Sequence, residues 1–170
     1  MVDIYGSIVA WYKEREPRKF DKTMSIIQMR TQYNAWLNAA TPADGVKALG
    51  QLLFVSMGHI WKTDEEQAMV FVLKRCERFL NELDNEPNPA FFVAMILDSY
   101  EYGDQNDLHA LTMIGKLAGT QMTRYGLSEE EVMGIMCISN HSKTVLHTAT
   151  EVEYINPLPA LQILLDKVGN

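Results

Sequence analysis

The chain has 170 residues, 47% of them hydrophobic, which suffices for one well-buried core and is short for two. Its formal net charge of −7 disfavours nucleic acid and anionic membrane surfaces as partners, because no basic patch is at hand to displace counterions from phosphates. One small phosphate ligand remains compatible with that charge.

Taken in order, Asp3 to Glu16 sets Ile4, Ile8, Trp11 and Tyr12 on one face, the three-four spacing of an amphipathic helix, which Pro17 stops. Asp21 or Thr23 is placed to cap a second helix, in which Met24, Ile27, Tyr33, Trp36 and Leu37 supply apolar side chains as far as Ala40. Thr41-Pro42 joins a capping hydroxyl to a proline at the first helical position, where its missing amide costs nothing. The helix it opens carries Val46, Leu49, Leu53, Met57 and Ile60 on one stripe. A further helix after Thr63 bears Met69, Phe71, Val72, Cys76, Phe79 and Leu80, and the short connection predicts an antiparallel pair.

Asp84-Asn85-Glu86-Pro87-Asn88-Pro89 is the clearest break, with two prolines and nothing apolar. AFFVAMIL after Pro89 reads as helix and ends at Gly103. Asn106 or Asp107 caps the next helix, through Leu108, Leu111, Ile114, Leu117 and Met122, and Gly126 stands where a glycine follows a helix end. A helix from Ser128 to about Thr144 and a short packing helix in ALQILLDKV complete the chain. No stretch keeps a period of two. The fold expected is all-α: a helical bundle of about seven to eight helices forming a single domain over residues 1–170.

An offset of 65 residues superposes Gly50 on Gly115, Leu52 on Leu117, Met57 on Met122, Glu65 on Glu130 and Glu66 on Glu131. Thr63-x-x-Glu66 and Ser128-x-x-Glu131 fall at equivalent places and read as capping boxes. One helical unit used twice, about 24–84 and 89–149, accounts for this, with a pseudo-twofold relation between the copies. Apolar stripes wider than one partner covers suggest a homo-oligomer, a homodimer in the simplest case.

The segment IGKLAGTQMTRYGLSEEEVMGIMCISNHSK resembles the C-terminal half of the MazG-like, all-α nucleoside triphosphate pyrophosphohydrolases. Those proteins join a long helix of the form LGDLLYVxxGxxxxxGI to one ending in NxxK, and Gly115, Leu117, Gly126, Asn140 and Lys143 fit that form. The resemblance covers about the last two thirds of the chain. It implies binding or pyrophosphohydrolysis of a nucleoside triphosphate, a dNTP among the candidates, with Asn140 and Lys143 near the phosphates. It also implies Mg²⁺ held by an E-x-x-E and an E-x-x-D pair, since magnesium takes several oxygen ligands and this spacing sets two carboxylates on one helical face.

Here the chain departs from the pattern. The second acidic pair falls at His109 and Thr112, or at Asp44 and Lys47 in the first copy, and the aspartate that usually follows the helix glycine is Lys116 or Gln51. Asp98 and Glu101, followed by Asp104 and Asp107, are the substitute, a displaced magnesium site or else a solvated, cap-rich helix end. Asp64 to Glu66 and Glu129 to Glu131 suit the dipole of a first helical turn. His59, His109, His141 and His147 lack partners at metal spacing, and Cys76 and Cys137 read as reduced, packed thiols. The ten methionines read as core fillers. No apolar run is long enough to cross a bilayer and Asp3 stands where a signal peptide is basic, so the expected compartment is the cytoplasm. The alternative function is a catalytically inactive helical scaffold or regulatory protein that binds a protein partner.

Overall fold

The computed structural model describes residues 4–128 apart from 84, 86 and 87, together with residues 131 and 166. Among the described residues lie six α-helices, α1 (Ile4–Arg15), α2 (Lys22–Leu37), α3 (Pro42–Lys62), α4 (Met69–Leu83), α5 (Pro89–Tyr102) and α6 (Asp107–Thr123), one 3-10 turn (Glu66–Ala68) and no strand. The all-helical expectation holds over these residues. Asn140, Lys143, His141, His147 and Cys137, and the helix expected beyond Glu131, lie outside them, as does the expected tail helix apart from Asp166.

The helix starts follow from their caps. Asp21 Oδ1 accepts the Met24 amide at 3.0 Å, Thr41 Oγ1 the Asp44 amide at 3.2 Å, and Asn106 Oδ1 the His109 amide at 3.1 Å. Each satisfies an amide that the first turn leaves without an internal partner. Pro42 and Pro89 occupy first-turn positions, and Gly126, with φ of 82°, takes the left-handed conformation after α6.

Thr63 behaves differently from the expectation. It is the C-cap of α3, its hydroxyl donating to the Ile60 carbonyl at 2.6 Å and accepting from the Glu65 amide at 3.2 Å, and α4 begins only at Met69, after the 3-10 turn. Asp64, with φ of 59°, bends the chain away there, and the Arg18 guanidinium holds its carboxylate at 2.9 Å. Ser128, by contrast, accepts the Glu131 amide at 3.1 Å, as a helix-opening cap does.

α3 and α6 are the centre, and they run antiparallel: Tyr125, just past α6, covers Gly45, while Gly115 lies on Leu53 and Ser56. α3 is buried nearly all round, Val46, Leu49, Leu52, Phe54, Ile60 and Trp61 included, so its single expected stripe understates it. α2 packs on α3, α5 on α6, and α2 on α5. α4 lies chiefly against α6 and not closely on α3, and a cavity walled by Leu53, Met57, Leu73 and Thr112 opens among the three helices. In α2 the buried stripe is Ser25, Met29 and Tyr33, whereas Met24, Ile27 and Leu37 are exposed. Spacing of four, not hydrophobicity alone, selects the residues that meet α3 and α5.

α1 packs on α3 through one close approach. A Cβ at Gly58 would stand 2.1 Å from Tyr12 Cζ, and the Tyr12 ring stacks on Phe54 at 5.3 Å between centroids. Gly58→Ala is therefore expected to lower stability by about 1–3 kcal/mol through overpacking. At Gly115 the nearest atom to an added Cβ is Ser56 Cβ at 3.4 Å, so Gly115→Ala is expected to change stability by less than about 1 kcal/mol, tight contact opposing gained helix propensity. Urea unfolding followed by circular dichroism compares the two.

Candidate functional site

The α2–α5 seam is where the chain brings charged groups together. Arg30 donates from Nε to Glu101 Oε2 at 2.5 Å and from Nη2 to Asp98 Oδ1 at 2.8 Å. Asp98 and Glu101 share a face of α5 because they are one turn apart, and that face meets α2. Burial opposes the charge on Arg30, and the two carboxylates more than compensate, holding the guanidinium above its ordinary range. The neighbouring Glu101 carboxylate also pushes the exposed Tyr102 hydroxyl up. Further along the seam Ser25 and Tyr100 share a hydrogen bond at 2.8 Å, and the Lys22 ammonium lies 4.8 Å from the Tyr100 ring centroid and 3.6 Å from Asp107. Burial raises Tyr100 to about 12.

The expected magnesium pair is thus present as a pair and already engaged. A divalent ion there would have to displace a guanidinium that closes two ion pairs. Magnesium also needs more oxygen donors than these two, and among the described residues no group of three His, Cys, Asp or Glu side chains is arranged to hold a metal.

The other positions scatter. Asp44 and Lys47 are exposed on the first turns of α3, Gln51 is half-buried and Lys116 exposed. Thr112 is buried, its hydroxyl without a partner. His109 is half-buried and does have partners: its Nε2 lies 3.1 Å from Cys76 Sγ on α4, and its Nδ1 lies 3.1 Å from the Gln105 side-chain amide. Burial and then the charge of Arg75 lower its proton affinity. These side chains line a cavity of about 330 Å³ between α4, α5 and α6, with Ser99, Phe79, Met95 and Met113 on its walls.

Sequence reasoning missed both Arg30 and the Cys76–His109 pair. Arg30 is 68 residues from Asp98 and Cys76 is 33 from His109, so no local spacing carries either contact.

Of the two histidines among the described residues, His59 is the one sealed in the core, 1% exposed, with Nε2 donating to Gln28 Oε1 at 2.7 Å and Nδ1 buried without a partner. Burial, then the nearby Lys62 charge, lowers it to about 4. A proton would have to enter an apolar, unpartnered place.

Comparison with protein-family models, with curated proteins and with solved structures finds no match for this chain.

Two outcomes follow from this geometry. Because the unfolded chain takes up the His59 proton near 6.5 and the folded one only near 4, the stability contributed by neutral His59 is complete above pH 6.5 and is lost as pH falls toward 4. Between pH 7 and pH 5 that loss is about 2 kcal/mol, and His59→Gln is expected to be less acid-sensitive by that amount in urea titrations at the two values. Arg30→Met, which leaves Asp98 and Glu101 unpaired on a partly solvated seam, is expected to cost about 1 kcal/mol in the same titration at pH 7.

Proposed function

We propose that this chain is a helical binding protein on the MazG-like plan, which engages a ligand or a protein partner without hydrolysing nucleoside triphosphates. The observation that carries this reading is Arg30, whose guanidinium takes both carboxylates of the pair that would otherwise be offered to magnesium. A positive charge fixed at that place does for Asp98 and Glu101 part of what a cation would do, and it repels a divalent ion that would otherwise activate water there.

The kinship half of the proposal is supported by the helix starts. The caps Thr41 and Asn106, and the amides of Asp44 and His109 that they accept, keep the 65-residue offset seen in the sequence. Two related units in a pseudo-twofold relation fit the packing too, with α2 on α3 as α5 is on α6, and with α3 on α6 and α2 on α5 across the axis. A partner-binding role is supported by apolar side chains that the helices offer outward: Phe71 is 73% exposed and Val70, beside it on α4, 65%.

The test is to incubate the purified protein with each dNTP and Mg²⁺ and separate the products by ion exchange. No pyrophosphate above the protein-free blank is expected. Pyrophosphate release that disappears in Asp98→Asn or Glu101→Gln would overturn this reading and restore the enzyme.

A further inference from the structure

The cavity between α4, α5 and α6 holds chemistry that the seam at Arg30 does not use. Its volume of about 330 Å³ is at the lower end of what small-molecule sites occupy. One wall carries a sulfur nucleophile, Cys76, with the His109 ring nitrogen 3.1 Å away and the Gln105 amide at the far side of the ring. A base beside a thiol, itself oriented by a third group, is the arrangement by which proteins activate a nucleophile. A half-turn of the Gln105 amide exchanges its nitrogen and oxygen; with the oxygen toward Nδ1, that nitrogen keeps its proton and Nε2 accepts from the thiol. Arg75 lines the same cavity and adds a positive charge.

From these contacts we infer that Cys76 is a thiol-exchange site for small disulfides bearing a carboxylate, with His109 handling the proton and Arg75 drawing the anion. The step balances without another reagent. Cys76 passes its proton to His109 Nε2, its sulfur attacks one sulfur of the disulfide, and the S–S bond of the reagent breaks as the mixed disulfide forms. The leaving thiolate takes the proton back from His109. Cys76 is oxidised by the reagent, half of which is released as the reduced thiol. The site is separate from the Arg30 seam and stands or falls independently of the function proposed above.

Cys137 is the only other cysteine, so the experiment uses Cys137→Ser throughout. The probe is dithiobis-nitrobenzoate, an anionic disulfide, with release of the coloured thiol giving the rate and peptide mass analysis giving the position. Folded protein is expected to react at Cys76 at least about tenfold faster than the same protein in urea, after correction with a free thiol in the same urea, as for thiols with a base at hand. His109→Asn is expected to abolish that advantage. Arg75→Gln, a change at an exposed position, is expected to slow the anionic probe and not to slow cationic cystamine. If His109→Asn fails to fold by circular dichroism, Gln105→Ala takes its place with the same expectation. A folded-state rate no higher than that in urea, or one indifferent to the variant at 109 or 105, overturns the proposal.

Discussion

The burial of α3 on all its sides is the constraint from which the arrangement follows. A helix whose successive faces carry Val46, Leu49, Leu52, Phe54 and Ile60 cannot leave any of them in water without losing the burial that stabilises it. It therefore needs α6 along one side, α2 along a second and α1 along a third. α6 is similarly enclosed, with Leu108, Leu111, Ile114, Leu117 and Met122 buried, and the small residues Gly115 and Ser56 let the two central helices approach. Among the polar groups buried here, Ser25 on Tyr100 and His59 on Gln28 close contacts between helices, and Ser56 donates within α3 to the Leu52 carbonyl one turn before it.

Chemistry is confined to the outer seams in consequence. Where α2 meets α5, one guanidinium is shared by two carboxylates, which offsets part of their charge. Where α4 leaves α3 and leans on α6, space remains, and the groups around it are a thiol, an imidazole and an amide. The two places differ in kind. The first is closed by its own ion pairs, whereas the second keeps a nucleophile beside an opening large enough for a small molecule.

How much of this could be read from the sequence depends on the range of the interactions involved. The caps at Asp21, Thr41 and Asn106, the first-turn prolines and the glycine after α6 were legible because each works within four residues. Thr63 was misread because a hydroxyl three residues before a glutamate suits a helix end as well as a helix start; the left-handed backbone at Asp64 decides, and composition does not reveal it. The buried stripe of α2 was missed for a related reason: Ser25 enters the core by virtue of a tyrosine 75 residues away. The Asp98–Glu101 pair was visible as a spacing, but its engagement by Arg30 depends on packing between helices far apart in the chain. The cavity thiol was hidden in the same way, since Cys76 and His109 meet only once α4 has turned onto α6.

The ring of Tyr12 in the notch at Gly58 has a further meaning for the dynamics of the chain. α1 is anchored by that ring, by the edge contact of Trp11 with Phe54 and by the ion pair of Glu16 with Lys62, all at one end of α3. Because this hold is concentrated on the C-terminal half of α3, an opening of α1 would bare that half first, and amide exchange from Ile4 to Arg15 is the measurement that reads it.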